Sequence, residues 1–138
     1  TYWKYQTYIK DYLRCIAGVD RAVGRLLDYL DENGLSDNTL IVYTSDQGFY
    51  LGEHGWFDKR WMYEESFKMP FLIKYPKHIE AGTVSKELIM NIDFGPTLLD
   101  FAGLKIPSSM QGKSFKSTFN GNGIGRDAVY YHNYEYPK

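Results

Sequence analysis

The residues best able to do chemistry lie close together, within positions 45–60. They are a carboxylate, an amide, an imidazole and two cations: Asp46, Gln47, His54, Lys59 and Arg60. Glycines at positions 48, 52 and 55 allow the chain to turn tightly between them. The combination predicts a crowded polar loop that can hold a metal ion and an anion.

Asp46 and Gln47 are candidate metal ligands. Their carboxylate and amide oxygens are hard ligands of the kind that Ca²⁺ or Mg²⁺ prefers. Two ligands do not complete a site, because Ca²⁺ usually takes about six to eight oxygens. The alternative is that Asp46 only stabilises the turn before Gly48, as acidic residues often do.

The basic residues of the loop suit an anionic substrate. Lys59 is a candidate for neutralising a tetrahedral anion or its leaving oxygen, although a solvated surface lysine is the simpler alternative. His54 is a candidate proton donor or anion ligand, and its alternative is a buried, hydrogen-bonded histidine. Arg60 either binds a sulfate, phosphate or sugar carboxylate, or pairs with Glu64 or Glu65.

The elements before the loop predict an α/β arrangement. Apolar residues at three- and four-residue steps predict a helix from Tyr8 to Asn33, stopped at Gly34, with Cys15 buried near its apolar face. Residues 39–44 lack polar alternation, which predicts a strand covered on both faces in a parallel or mixed sheet packed by helices. Ligands in open α/β sheets bind beyond the carboxyl ends of strands, which is where Asp46 follows.

Further elements are predicted downstream of the loop. They are a short helical turn within 62–68, a strand at 70–76, an extended segment at 88–91, a helix capped by Asp93 and ending at Gly103, and a last strand at 128–131. No internal repeat, low-complexity tract or domain boundary is visible.

The composition predicts a single globular unit. The chain has 138 residues, 43% hydrophobic and 24% charged, with a net charge of −1. The 17% aromatic content favours a β-rich core over a sugar-binding surface. We expect neither a nucleic-acid footprint nor a membrane span, because no long charged or apolar run occurs. The only cysteine, Cys15, excludes an intrachain disulfide and a cysteine-built zinc site.

Several segments together resemble the C-terminal part of the sulfatase catalytic domain. The segments are Tyr43–Gly48, Leu51–Gly55, Asp58–Arg60, Met69–Phe71, Val19–Gly34, Ile92–Gly103 and Gln111–Ser114. They cover most of the chain in the family's order. The loop is closest in style to glycosaminoglycan, iduronate-type and aryl sulfatases.

The resemblance implies a partial alkaline-phosphatase-like sulfatase fold, a mixed sheet with packed helices. It further implies hydrolysis of a sulfated sugar or aryl sulfate, with Asp46 and Gln47 binding Ca²⁺, or Mg²⁺ in its place. Lys59 would contact the sulfate and stabilise the leaving oxygen, while His54 and Arg60 would line the pocket. Family members are periplasmic, secreted or lysosomal.

The family's nucleophile pattern, C/S-x-P-S-R, is absent from residues 1–138. The resemblance therefore leads us to expect a fragment that is inactive alone, with a formylglycine nucleophile and the leading metal-binding acids on the rest of the sulfatase chain. One alternative is a phosphodiesterase or phosphonate hydrolase of the same superfamily. Another is a non-catalytic glycan-binding module.

Overall fold

The computed structural model describes residues 2–132, and five regular elements precede and follow the loop. They are α1 (Tyr2–Glu32), β1 (Ile41–Thr44), α2 (Glu64–Phe67), β2 (Phe71–Lys74) and α3 (Phe94–Phe101). Short 3₁₀ turns lie at Ser36–Asn38, Glu53–Gly55, Asn91–Asp93 and Lys116–Asn120.

Helix α1 confirms the predicted long helix and begins six residues earlier than expected. Its end has the geometry of a Schellman motif: Leu35 N–H donates to Leu30 at 2.8 Å, and Gly34 N–H donates to Asp31 at 3.1 Å. Gly34 takes a φ of 66°, the left-handed conformation that the Asn-Gly pair predicts.

The two strands form one antiparallel pair, with Ile41 opposite Lys74 and Thr44 opposite Phe71. The strand at 70–76 is confirmed. The expectation that β1 is covered on both faces is wrong for the described residues, because Val42 and Tyr43 are 38% and 37% exposed. A parallel neighbour for β1 is likewise absent from residues 2–132.

The buried core is small and lies away from α1. Tyr50 and Phe115 are the buried large hydrophobic residues of the described chain. The prediction of a buried Cys15 is wrong, since this thiol is exposed. Helix α1 contacts the loop through Tyr5 and Tyr8, whose rings lie 6.0 and 5.2 Å from that of Phe57, but none of the residues of α1 is buried. The predicted aromatic core is limited to the rings of Phe71, Phe94 and Phe119 around Phe115, and most of the other aromatic rings remain partly exposed.

Helix α3 confirms the predicted helix, but Asp93 does not cap it with its side chain. Instead the Asp93 carboxylate receives two hydrogen bonds from Arg126, at 2.5 and 2.9 Å. Main-chain N–H groups of Lys113 and Met90 add bonds of 2.8 and 2.7 Å. Burial would raise the pKa of Asp93, but these bonds and the charge of Arg126 lower it by more.

The expected extended segments at 88–91 and 128–131 do not form strands in the structure. Arg126 donates to the carbonyl oxygen of Leu88 at 2.7 Å, and Glu87 accepts from the main chain of Ile124 at 3.1 Å. These side-chain bonds connect residues 87–88 with residues 124–126 without a strand ladder.

Candidate metal and anion site

Asp46 lies two residues beyond the end of β1 and is exposed. Its carbonyl oxygen accepts a 2.9 Å hydrogen bond from the side-chain amide of Asn91. Within residues 2–132 its carboxylate has no hydrogen bond or ion pair. The main chain is therefore held while the carboxylate stays available to a ligand.

Gln47 is fixed through its amide nitrogen. Nε2 donates to the carbonyl oxygen of Ser66 at 2.9 Å, lies 3.1 Å from Ser66 Oγ, and is 3.5 Å from the carbonyl oxygen of Lys59. The carbonyl oxygen of the amide contacts no donor in the described chain. This is the atom that a metal ion would take.

Gly48 allows the strand end to approach α2 closely. Its N–H donates to the carbonyl oxygen of Ser66 at 3.1 Å. A Cβ at this position would lie 2.0 Å from the carbonyl oxygen of Glu65 and 2.7 Å from that of Ser66. Only a residue without a side chain fits here.

The main-chain carbonyl oxygen of Lys59 lies 3.5 Å from the amide nitrogen of Gln47. Its carbonyl oxygen accepts a 2.5 Å hydrogen bond from Ser66 Oγ, and its N–H donates to Asp58 Oδ1 at 2.6 Å. The side chain is exposed, and within residues 2–132 its ammonium has no anionic partner. The ammonium is thus available to an anion, although solvation alone would give the same exposure.

Arg60 pairs with Asp58 at 2.8 Å and not with Glu64 or Glu65, the partners considered from the sequence. Its carbonyl oxygen accepts from the Tyr131 hydroxyl at 2.9 Å. The N–H of Lys59 and the guanidinium of Arg60 lower the pKa of Asp58. Arg60 is an exposed residue at the edge of the loop.

His54 lies at the far turn of the loop, with a φ of 55°. Its ring stacks on Tyr63 with centroids 4.1 Å apart, and Nε2 lies 3.1 Å from Glu65 Oε2. The main-chain N–H of Glu65 and the imidazole lower the pKa of Glu65. The side chain is 39% exposed, so the alternative of a buried, hydrogen-bonded histidine is wrong in its burial, although the ring does contact Glu65.

Two polar residues of this arrangement have no signal in the sequence. Ser66 is a single serine in a short helix, and Asn91 precedes α3 by three positions. Ser66 bonds to Gln47 over 19 positions, and Asn91 bonds to Asp46 over 45 positions. Only the tertiary fold brings them to the loop.

The donor set fits a hard divalent cation in part. Asp46 and Gln47 offer two oxygens at one strand end, and oxygen is the ligand type that Ca²⁺ and Mg²⁺ prefer. Residues 2–132 contain no group of three or more His, Cys, Asp or Glu side chains that could hold an ion. Further ligands would have to come from outside this part of the chain.

A separate open cleft of about 1340 Å³ runs along β2, and its lining residues include Leu72, Phe94 and Phe115. None of the five candidate residues lines it. The cleft is lined by apolar side chains together with charged ones such as Lys68 and Glu80.

No helix in residues 2–132 is long and apolar enough to cross a lipid bilayer.

Two family models match most of the chain. The model for the C-terminal part of N-sulphoglucosamine sulphohydrolase matches residues 52–138. The model for type I phosphodiesterase and nucleotide pyrophosphatase matches residues 4–93. An N-acetylglucosamine-6-O-sulfatase of Bacteroides thetaiotaomicron is 58% identical over 98% of this chain and 25% of its own length. The chain belongs to the sulfatase family.

Two solved structures share the fold of this chain. One protein, in complex with its substrate D-glucosamine-2-N,6-O-disulfate, superposes with a TM-score of 0.92 at 57% identity, over 99% of this chain and 28% of that one. A phosphonate monoester hydrolase from Silicibacter pomeroyi superposes with a TM-score of 0.70 at 34% identity, over 78% of this chain and 21% of that one. The expected alkaline-phosphatase-like α/β fold is confirmed. This sulfatase chain spans about a quarter of the length of these two relatives from the curated proteins and the solved structures.

Proposed function

We propose that the chain is part of a sulfuric ester hydrolase that removes sulfate from a sulfated sugar. The observation that carries this proposal is the arrangement around Gln47. One buried serine restrains both this candidate metal ligand and the main chain of Lys59. A candidate cation site and a candidate anion site are thereby joined in one rigid unit beyond β1.

Each candidate residue has a role in this proposal. Asp46 and Gln47 would hold Ca²⁺, with Mg²⁺ as the alternative, and the cation would supply positive charge to offset that of the sulfate. Lys59 binds the sulfate and balances the charge on the leaving oxygen. His54 contributes a proton at the pocket wall, and Arg60 contacts the sugar or its sulfate. A formylglycine nucleophile belongs to the complete enzyme that contains residues 1–138.

The proposed substrate class is 6-O-sulfated glucosamine. The Bacteroides relative is named for N-acetylglucosamine-6-O-sulfatase activity, and the structural relative is bound to a 6-O-sulfated glucosamine. Aryl sulfates are the less specific substrates that would report the same chemistry.

Sulfate release by the complete enzyme tests this proposal. We expect release from N-acetylglucosamine 6-sulfate, loss of release after chelation, and recovery when Ca²⁺ returns. A parallel recovery with Mg²⁺ would show which ion the site accepts. Release that is unaffected by chelation would contradict the metal role of Asp46 and Gln47.

A phosphonate monoester hydrolase is the second candidate. The Silicibacter pomeroyi structure and the match to the phosphodiesterase model favour it. Sulfate and phosphonate esters with the same leaving group distinguish the two activities. A higher kcat/KM for the phosphonate ester would contradict the sulfatase proposal and support a phosphonate hydrolase.

A further inference from the structure

Ser66 connects the two halves of the candidate site. We propose that it is a positioning residue, which directs the amide oxygen of Gln47 toward the metal and fixes the main chain at Lys59. The inference rests on the proposed roles of Gln47 and Lys59. Ser66 itself touches neither the metal nor the substrate.

The contacts of Ser66 use both its side chain and its main chain. Oγ lies 2.5 Å from the carbonyl oxygen of Lys59 and 3.1 Å from Nε2 of Gln47. The carbonyl oxygen of Ser66 accepts from the same Nε2 at 2.9 Å and from Gly48 N at 3.1 Å. The residue is only 1% exposed, so water does not compete for these bonds.

These contacts determine how the Gln47 amide is oriented. The carbonyl oxygens of Ser66 and Lys59 only accept hydrogen bonds, so the amide atom that faces them must be the NH₂ group. The nitrogen and oxygen of an amide point in different directions from the trigonal Cδ to which both are bonded. Holding the nitrogen on Ser66 therefore turns the oxygen of Gln47 away from α2 and leaves it for a ligand.

The hydroxyl suits this position because it donates and accepts at once. It donates a hydrogen bond to the Lys59 carbonyl oxygen and accepts one from Gln47 Nε2. Alanine provides neither bond, and a cysteine thiol provides only weak ones. Groups that orient metal ligands typically change metal affinity about 10–100-fold when they are removed.

The test measures calcium binding to the complete enzyme by calorimetry, which does not depend on turnover. We expect Ser66→Ala to weaken Ca²⁺ binding about tenfold, the lower end for a lost orienting group, because the main-chain carbonyl oxygen of residue 66 still accepts from Gln47 Nε2. We also expect a lower kcat at saturating Ca²⁺, because the backbone at Lys59 loses its anchor.

Thr97→Val is the matched control. Thr97 is 2% exposed, and its hydroxyl also makes two bonds, donating to the Asp93 carbonyl oxygen at 2.7 Å and accepting from Phe115 N at 3.1 Å. These bonds lie in the α3 region rather than in the loop. We expect Thr97→Val to destabilise the fold while Ca²⁺ affinity stays within about twofold of wild type, because valine keeps the shape but removes both bonds.

Unchanged Ca²⁺ affinity in Ser66→Ala, or an equal loss in Thr97→Val, would overturn the role of Ser66. Gln47→Ala separates this failure from failure of the proposed function. If Gln47→Ala weakens Ca²⁺ binding and Ser66→Ala does not, only the inference about Ser66 fails. If Gln47→Ala leaves binding unchanged, the metal role itself is wrong. Should Ser66→Ala not fold, Ser66→Cys undergoes the same comparison.

Discussion

Gln47 and Gly48 both donate to the carbonyl oxygen of Ser66, one through its side chain at 2.9 Å and the other through its main chain at 3.1 Å. At the scale of single residues, the candidate site is thus built largely from uncharged groups. Asn91 and Ser66 bond to the main chains of Asp46 and Lys59, whose charged side chains stay exposed. The site therefore does not carry the desolvation cost of a buried ion pair.

Gly48→Ala tests the close approach between the strand end and α2. The added Cβ would collide with two main-chain oxygens that cannot move without shifting α2. We expect a loss of at least about 3 kcal/mol in the unfolding free energy of the complete enzyme, measured by urea denaturation.

Gly95→Ala is the control for this substitution. A Cβ at Gly95 would meet no atom closer than 3.9 Å, and the residue lies in α3. We expect it to be neutral or to stabilise by up to about 1 kcal/mol. Similar losses for the two alanine variants would contradict the packing argument.

Residue types and spacing predicted which residues belong to the loop, but not which atoms hold them. Asp46 and Gln47 at a strand end follow from the apolar run before them. The alternative in which Arg60 pairs with Glu64 or Glu65 was wrong, because loop geometry decides side-chain pairing and places Arg60 2.8 Å from Asp58. Ser66 had no signal at all, because hydrogen bonding across 19 positions depends on the fold.

At the scale of elements, the segment around Arg126 is fastened to the start of α3 by a buried ion pair. Asp93 is 0% exposed and the Arg126 side chain is 12% exposed. Arg126→Met would leave a buried carboxylate without its cation, which typically costs about 3–5 kcal/mol. Urea denaturation of the complete enzyme measures this loss.

Arg14→Met provides the comparison for an exposed pair. Arg14 and Asp11 lie on α1 with side chains 74% and 60% exposed. Such pairs contribute about 0–1 kcal/mol, because water screens them and both side chains lose freedom. An effect of Arg126→Met no larger than that of Arg14→Met would refute a structural role for the buried pair.

The lowered pKa of Asp93 predicts acid sensitivity. A carboxyl whose pKa is depressed by folding adds stability above its ordinary pKa of 3.8, and this contribution is lost as the pH falls through the folded value. We therefore expect wild-type stability to fall more steeply below about pH 4 than that of Asp93→Asn. The urea midpoint as a function of pH measures the difference, and parallel curves would contradict it.

The C-terminal ends of α1 and α3 were predictable because local signals fix them, whereas α1 begins six residues before its predicted start. Gly34 and Gly103 end α1 and α3 with φ values of 66° and 69°, at the positions where glycine predicts a stop. Burial was less predictable. Beyond the contacts of Tyr5 and Tyr8 with Phe57, the described residues cover little of the apolar face of α1, so Cys15 is exposed although its position on the helix suggested a core.

At the scale of the whole molecule, this sulfatase chain offers two oxygens, those of Asp46 and Gln47, to the proposed calcium site. Within residues 2–132 no larger cluster of metal-binding side chains is present, and the nucleophile pattern is absent from the sequence. We expect purified residues 1–138 to release no sulfate from an aryl sulfate, measured against the complete enzyme at equal concentration. Release at an enzyme-like rate would contradict the division of the site between this chain and the rest of the enzyme.

The glycan-binding alternative is also separable at this scale. Trp56 and Trp61 are both partly exposed, with ring centroids 5.8 Å apart. A pure binding module would retain a sulfated sugar after chelation and after Lys59→Ala. The sulfatase account expects both treatments to reduce sulfate release by the complete enzyme.

The most direct test of the central claim is kcat for sulfate release by the complete enzyme in Lys59→Ala, beside Lys105→Ala as an exposed-lysine control outside the loop. Because Lys59 is proposed to stabilise the leaving oxygen, we expect kcat to fall about 100–1000-fold in Lys59→Ala. Lys105→Ala is expected to stay within about twofold of wild type, since it contacts no candidate residue. Equal kcat values for the two variants would contradict an anion site in this loop.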